Sequence, residues 1–234
     1  MAGADTVSAG LGRYLRRARQ GIGRVRLHAW LRPLAHDELV RLGSDYGGWI
    51  IPRRLLRPGA ICYCAGVGED ATFDLELIRH GCLVVSIDPT PRAIQYGESI
   101  ARQEPRFNLV PLGLWSTPTV LRFYAPRDPT HVSHSIVNLQ ASTTYFEAQC
   151  TTVRSLAEKL GHDHLDLLKL DIEGAEFEVL TSVLRGGPLP GTICVEFDQP
   201  SPMATVRRTV RDLSKAGYKP VAIERWNVTF CRIP

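Results

Sequence analysis

The sequence predicts an α/β protein built on a mostly parallel seven-stranded sheet, with helices on both faces and an antiparallel strand at its C-terminal end. Three observations carry that prediction. The strand-like run Ala60-Ile61-Cys62-Tyr63-Cys64 leads into Gly66-Val67-Gly68, and Glu69-Asp70 then opens a helical pattern from Ala71 to His80. Apolar runs ending in acids recur at Asp88, at Asp171 and Glu173, and at Glu196 and Asp198. The last two apolar runs, Lys219 to Ile223 and Trp226 to Cys231, are separated only by Glu224 and Arg225. So short a link makes a hairpin and cannot make a parallel crossover.

At 234 residues and 26.0 kDa the chain suits one α/β domain with a short extension. The expected division is a basic extension with one or two helices over residues 1–41 and a domain over 42–234. Hydrophobic content of 44% and charged content of 22% are ordinary for a globular protein. No apolar run approaches the ~20 residues of a spanning helix. The six cysteines are scattered, and Cys62, Cys64, Cys82 and Cys194 fall in strand-like runs, which fits buried thiols in a reducing compartment such as the cytoplasm. Residues 1–35 carry seven Arg and one acid, while the remainder carries 21 basic and 23 acidic residues. A nearly neutral body argues against a nucleic-acid partner, whose footprint would lie on the fold itself. The arm reads as a solvated or packing helix. Its composition also allows a weak contact with a phosphate-bearing or acidic surface, and resembles an organelle transit peptide. Self-association stays open.

Taken in order, Leu11, Tyr14, Leu15 and then Val25, Leu27, Trp30 and Leu31 recur at helical spacing, with Gly21 and Gly23 between them, and predict helices covering one end of the sheet. Leu42 to Pro52 reads as a glycine-rich loop, either a turn with a packing tryptophan or a lid in which Tyr46 or Trp49 offers an apolar wall. Leu83 to Ile87 is the second core strand. Pro89 stops it, Thr90 can cap, and Pro91 fits the first position of a helix running to about Gln103. Asn108 to Leu112 is a third short strand, and Val120 to Tyr124 a further strand outside the alternation. Ala125 to Thr152 is the least regular interval, and its polar His131, His134, Ser135 and Asn138 are what a substrate-facing insertion would contain. Helical spacing returns at Val153 to Leu160. A buried strand then delivers Asp171 and Glu173 to its tip, with Gly174 leading into a helix through Leu184, and Arg207 to Ala216 is the last helix.

These tips share one rim, where ligands of open α/β sheets bind. A glycine turn lets the backbone approach a ligand, and the helix behind it offers free N–H groups. Asp88, at the tip of the second strand, is placed to accept hydrogen bonds from ribose hydroxyls. A nucleoside-bearing cofactor is therefore expected at this rim.

From about Leu42 onward the chain resembles the FkbM-type methyltransferases, a family with the Rossmann-like class I methyltransferase fold. The resemblance rests on Tyr46-Gly47-Gly48-Trp49, Gly66-Val67-Gly68-Glu69-Asp70, Asp88-Pro89-Thr90-Pro91-Arg92, His131-Val132-Ser133-His134-Ser135 and Lys169-Leu170-Asp171-Ile172-Glu173-Gly174-Ala175-Glu176. It implies S-adenosyl-L-methionine as cofactor and a hydroxyl of a sugar, glycolipid or secondary metabolite as methyl acceptor. The implied cofactor-binding set is Tyr63, Gly66, Gly68, Glu69, Asp70, Asp88, Thr90, Gly113, Leu114 and Asp171, with Leu114 and Trp115 where the fold meets adenine. Most members of the fold carry an acid two residues before the first glycine. Here that position is Cys64, and the expectation is that Glu69 or Asp70 holds the cofactor's ammonium instead.

Methyl transfer to an alcohol needs a positioned general base. Asp171 is the first candidate, as base or as an acceptor-orienting carboxylate, and His134 the second. His131, Ser135, Asn138 and Glu173 are the acceptor-binding candidates. No metal site is expected, although Asp171, Glu173 and Asp198 offer the hard oxygens that magnesium takes. Lys169 lies in a strand that should be buried, so its ammonium needs a partner, for which Glu196 on the neighbouring strand is the candidate. Two other readings remain: a noncatalytic binding module, suggested by Cys64, and a nicotinamide-dependent oxidoreductase, opposed by the terminal hairpin.

Overall fold

The computed structural model describes residues 27–35, 38–125, 136, 143–197 and 203–233. Strands β1 (Leu39–Leu42) and β2 (Trp49–Pro52) form an antiparallel hairpin ahead of the core. The core alternates β3 (Ile61–Ala65), α1 (Thr72–Arg79), β4 (Leu83–Ile87), α2 (Pro91–Ala101) and β5 (Leu109–Val110). Three further strands follow: β6 (Gly113–Leu114), β7 (Thr119–Tyr124) and β8 (Tyr145–Thr151). The chain then runs through α3 (Val153–Leu160), β9 (Leu167–Leu170), α4 (Glu176–Gly186), β10 (Thr192–Glu196), α5 (Met203–Lys215), β11 (Tyr218–Glu224) and β12 (Asn227–Arg232).

The main sheet has seven strands in the order β11-β12-β10-β9-β3-β4-β5. Strands β10, β9, β3, β4 and β5 pair in parallel, and β12 enters antiparallel between β10 and β11, as the short Glu224-Arg225 link requires. Strands buried on both faces need apolar residues at every position. That is why β3 reads Ile-Cys-Tyr-Cys-Ala and is fully buried. One face packs Tyr63, Leu168 and Ile193 against Leu156 of α3, Val179 and Val183 of α4, and Val210 and Leu213 of α5. The other packs Cys62, Cys64 and Cys194 against Phe73 and Leu77 of α1 and against Trp49 and Ile51 of the hairpin. Helices therefore cover both faces, as predicted.

Two expectations change. Leu42 to Pro52 is flanked by paired strands rather than being a free loop. Within it Trp49 is the packing tryptophan of the first reading, 1% exposed, whereas Tyr46 at the hairpin tip is 77% exposed. The interval after Ala125 contains β8, which pairs antiparallel with β7 and parallel with β6 in a separate three-stranded sheet. Of the N-terminal helices, the described part is a helical turn at residues 27–30 whose Leu27, with Leu31 just beyond it, is buried in the main core. His28 Nε2 lies 2.8 Å from the Arg225 carbonyl, which sets this turn against the link between β11 and β12. Strand β1 spans the expected boundary at residues 41 and 42.

Candidate active site

At the carboxyl ends of β3, β4 and β9 the sheet opens into a cleft, and the tips Gly66, Asp88 and Asp171 all line it. Gly66 has φ +83°, and a Cβ built on it would lie 1.7 Å from the Asp171 carbonyl oxygen. Only glycine lets the turn lie against the tip of β9. The contact is stitched by Asp171 N–H to the Ala65 carbonyl at 3.2 Å and by Gly66 N–H to the Ile87 carbonyl at 2.9 Å. On the other side, Gly68 N–H donates to Asp88 Oδ2 at 2.9 Å, while the N–H and hydroxyl of Thr90 donate to Oδ1 at 2.8 and 2.6 Å. Asp88 thus fixes the turn itself. A carboxylate offers about four lone-pair sites, so it keeps acceptor capacity for a ligand hydroxyl.

Glu69 and Asp70 line the cleft, and each already has partners within the chain. Glu69 pairs with Arg92 at 3.0 Å. Asp70 accepts from Ser44 Oγ at 2.5 Å and from Thr72 N–H and Oγ1 at 3.0 and 2.5 Å, which ties the β1–β2 turn to the first turn of α1. Burial works against its charge, but the hydrogen bonds from Ser44 and Thr72 outweigh it and hold the carboxyl below its ordinary pKa.

Beyond β9, Glu173 adopts φ +54° and Gly174 φ +107°. Glu176, at the start of α4, holds this turn by accepting from Ile172 N–H at 2.8 Å and Gly174 N–H at 2.9 Å. It is 2% exposed, and burial pushes its pKa up from 4.5 to about 7. An acid whose folded pKa is raised stabilises the fold below its unfolded value, and that contribution is lost as pH rises through the folded one. Thermal stability is therefore expected to fall through this group between pH 4.5 and about 7. Glu176→Gln should flatten that part of the profile, and parallel slopes for the two proteins in melts across the range would refute the assignment.

One polar row crosses the sheet beneath α1. Register places Ser86, Cys64, Lys169, Cys194 and Thr229 side by side on β4, β3, β9, β10 and β12. Lys169, 5% exposed, donates from Nζ to the Gly66 carbonyl at 2.5 Å and lies 3.4 Å from Asp171 Oδ2. The salt bridge is thus with Asp171, where the sequence pointed to Glu196. Burial opposes the ammonium, but Asp171 and Asp74 outweigh it and hold its pKa above the ordinary value. Asp74 reaches in from α1, 2% exposed, and accepts from Ser86 Oγ at 2.5 Å. Burial raises its pKa from 3.8 to about 6, against the pull of Lys169.

Of the cofactor-binding candidates, Gly66, Gly68, Glu69, Asp70, Asp88, Thr90, Gly113, Leu114 and Asp171 all line this cleft, and so does Glu173. Tyr63 does not. Its side chain points into the core on the opposite side of β3 from Cys64, and its hydroxyl hydrogen-bonds His162 Nδ1 at 2.9 Å. Trp115 packs against the main core instead of the cleft. His131, His134, Ser135, Asn138 and Asp198 lie outside the described residues. Among the described residues no three His, Cys, Asp or Glu are grouped to hold a metal ion, and no helix is long and apolar enough to cross a membrane. Sequence reasoning missed Asp74, Glu176, Phe123 and Ile136. Asp74 had a signal: it precedes Leu77 and Ile78 by three and four residues and so falls on the buried stripe of α1.

A search of curated proteins found no match to this chain. Among solved structures, the precorrin-6y C5,15-methyltransferase of Geobacter metallireducens is 11% identical, over 85% of this chain and 97% of that one, at TM-score 0.42. The fibrillarin of Aeropyrum pernix, solved with bound S-adenosyl-L-methionine, is 11% identical over 76% and 68% at TM-score 0.41. An S-adenosylmethionine-dependent methyltransferase of Aquifex aeolicus is 12% identical over 76% and 85% at TM-score 0.40. Likeness at these values carries no inference for this chain. The sequence itself matches the Methyltransferase FkbM domain over residues 63–219, which include the end of β3, the glycine turn, Asp88 and Asp171. With the antiparallel β12 and the cleft at the strand tips, that match establishes that the chain belongs to the FkbM family of S-adenosylmethionine-dependent methyltransferases.

Proposed function

We propose that the protein methylates a hydroxyl of a sugar, glycolipid or secondary metabolite. The observation that carries this reading is the position of Asp171: its side chain is 30% exposed, it lines the cleft, and its backbone lies against the Gly66 turn. A carboxylate there can orient an acceptor hydroxyl and take its proton. The cleft also fits the cofactor. Leu114, Ile87 and Phe123 give an apolar wall for a base, Asp88 retains acceptor capacity for ribose hydroxyls, and carboxylates favour a cationic ligand. Bound S-adenosylmethionine supplies an electrophilic methyl on a cationic sulfur. The chain's own part is to hold the acceptor oxygen in line and dispose of the proton. Ile136 lines the cleft, and the acceptor-side candidates Ser135 and His134 directly precede it in the chain. All six cysteines are free and buried, in keeping with a reducing, cytoplasmic setting.

The test is incubation with methyl-labelled S-adenosylmethionine and a panel of glycosides, glycolipids and hydroxylated metabolites, followed by mass spectrometry. A gain of one methyl on oxygen supports the reading; label on nitrogen or carbon overturns the O-methylation assignment. Asp88→Ala should weaken S-adenosylhomocysteine binding by at least about tenfold, because it removes a charged acceptor and frees the N–H groups of Gly68 and Thr90. Unchanged affinity by calorimetry would mean that Asp88 supports neither the turn nor the ribose.

A further inference from the structure

We propose that Lys169 and Asp74 together bind the amino-acid end of the cofactor, Lys169 taking its carboxylate and Asp74 its ammonium. This deepens the cofactor reading and rests on it. The acid position usual in this fold is occupied by Cys64, which is fully buried and whose thiol burial keeps neutral. Glu69 and Asp70, the nearest alternatives along the chain, are engaged with Arg92 and with Ser44 and Thr72. The polar row supplies the missing charges from either side of Cys64. Register sets Lys169 beside it on β9 and Ser86 beside it on β4, and Asp74 hangs from α1 onto Ser86.

Both side chains line the cleft, and Lys169 is the only cationic side chain among the described residues that do so. An ammonium has three N–H donors. The Gly66 carbonyl takes one at 2.5 Å, and Asp171 Oδ2 stands 3.4 Å away, beyond the usual length of a charge-assisted bond. Donor capacity is left for an anionic oxygen arriving from the cleft. Asp74 accepts the Ser86 hydroxyl at Oδ1, which leaves its second oxygen for a cationic donor. An α-amino acid group is a zwitterion at neutral pH, and a buried cation and anion flanking a neutral thiol are its electrostatic complement. Each partly desolvated charged hydrogen bond is worth about ten- to hundredfold in affinity. The short Cys64 side chain keeps the space between the two charges open.

Calorimetry on the full chain tests this with two probes, S-adenosylhomocysteine and 5′-methylthioadenosine, which lacks the amino-acid end. The wild type should bind the first at least about a hundredfold tighter. Lys169→Met and Asp74→Asn should each weaken S-adenosylhomocysteine about tenfold or more, with methylthioadenosine unchanged within about twofold. Parallel losses for both probes, or no loss for S-adenosylhomocysteine, would overturn the assignment. The carboxylate methyl ester of S-adenosylhomocysteine gives a check on the wild type alone: it should bind about tenfold weaker, and equal affinity refutes the role of Lys169. A wild type that binds both probes equally overturns only this proposal, whereas one that binds neither overturns the cofactor reading with it.

Discussion

Gly66→Ala is expected to abolish S-adenosylhomocysteine binding and to destabilise the fold by more than about 3 kcal/mol, the largest loss expected from removing so little. Two costs combine. At φ +83° an alanine pays the left-handed penalty of about 1–2 kcal/mol, and its Cβ would sit 1.7 Å from the Asp171 carbonyl oxygen. Backbone has no rotamer with which to yield, so either the turn or the tip of β9 must move. Either movement breaks the contact between the turn and Asp171 and displaces the Gly66 carbonyl from Lys169. Gly68→Ala is the control. Its φ is +55°, but a Cβ there meets nothing within 4 Å, so only the conformational penalty of about 1–2 kcal/mol applies. Urea denaturation and calorimetry on both variants check the contrast. A Gly66→Ala protein that binds within threefold of the wild type would show that the turn and β9 do not form one rigid cradle.

The same contact explains what was legible in the sequence. A glycine pair at a strand end, an acid at a strand tip and a two-residue link between strands are local demands of backbone geometry, and local demands are written in consecutive residues. The seven-stranded sheet and the rim of Gly66, Asp88 and Asp171 could be read for that reason. Strand β8 is different: Phe146, Ala148 and Cys150 do alternate with Glu147, Gln149 and Thr151, but only Cys150 of its seven residues is buried and its partner β7 stands outside the main sheet, so the pattern does not tie it to the core. The roles of charged groups were harder still. Asp70 reads as a ligand for the cofactor, and the sequence does not show that the β1–β2 turn, more than twenty residues earlier, also delivers Ser44 to it. Lys169 has acids within reach on its own strand and on the next, and sequence spacing does not rank them. The position of the Gly66 carbonyl does, because it draws Nζ toward the tip of β9, where Asp171 waits.

Asp171→Asn is expected to lower the methyl-transfer rate by about 10²–10⁴-fold once an acceptor is in hand, while S-adenosylhomocysteine affinity stays within about fivefold. Methylation of a hydroxyl releases one proton per turnover, and the neutral amide keeps the shape of the carboxylate but cannot take that proton. The fold should tolerate the change. Lys169 retains the Gly66 carbonyl and the charge of Asp74, and the Asp171 backbone keeps its hydrogen bond to Ala65. Binding should also survive, since the Asp88 contacts with the turn do not involve Asp171 and Lys169 keeps the Gly66 carbonyl and the charge of Asp74 when Asp171 is neutralised. Single-turnover measurement with bound, labelled cofactor separates the two effects. Equal losses in rate and affinity would make Asp171 a part of the cofactor cradle, and a full rate would pass the base to the segment containing His134. Only a rate loss at constant affinity places the proton on Asp171.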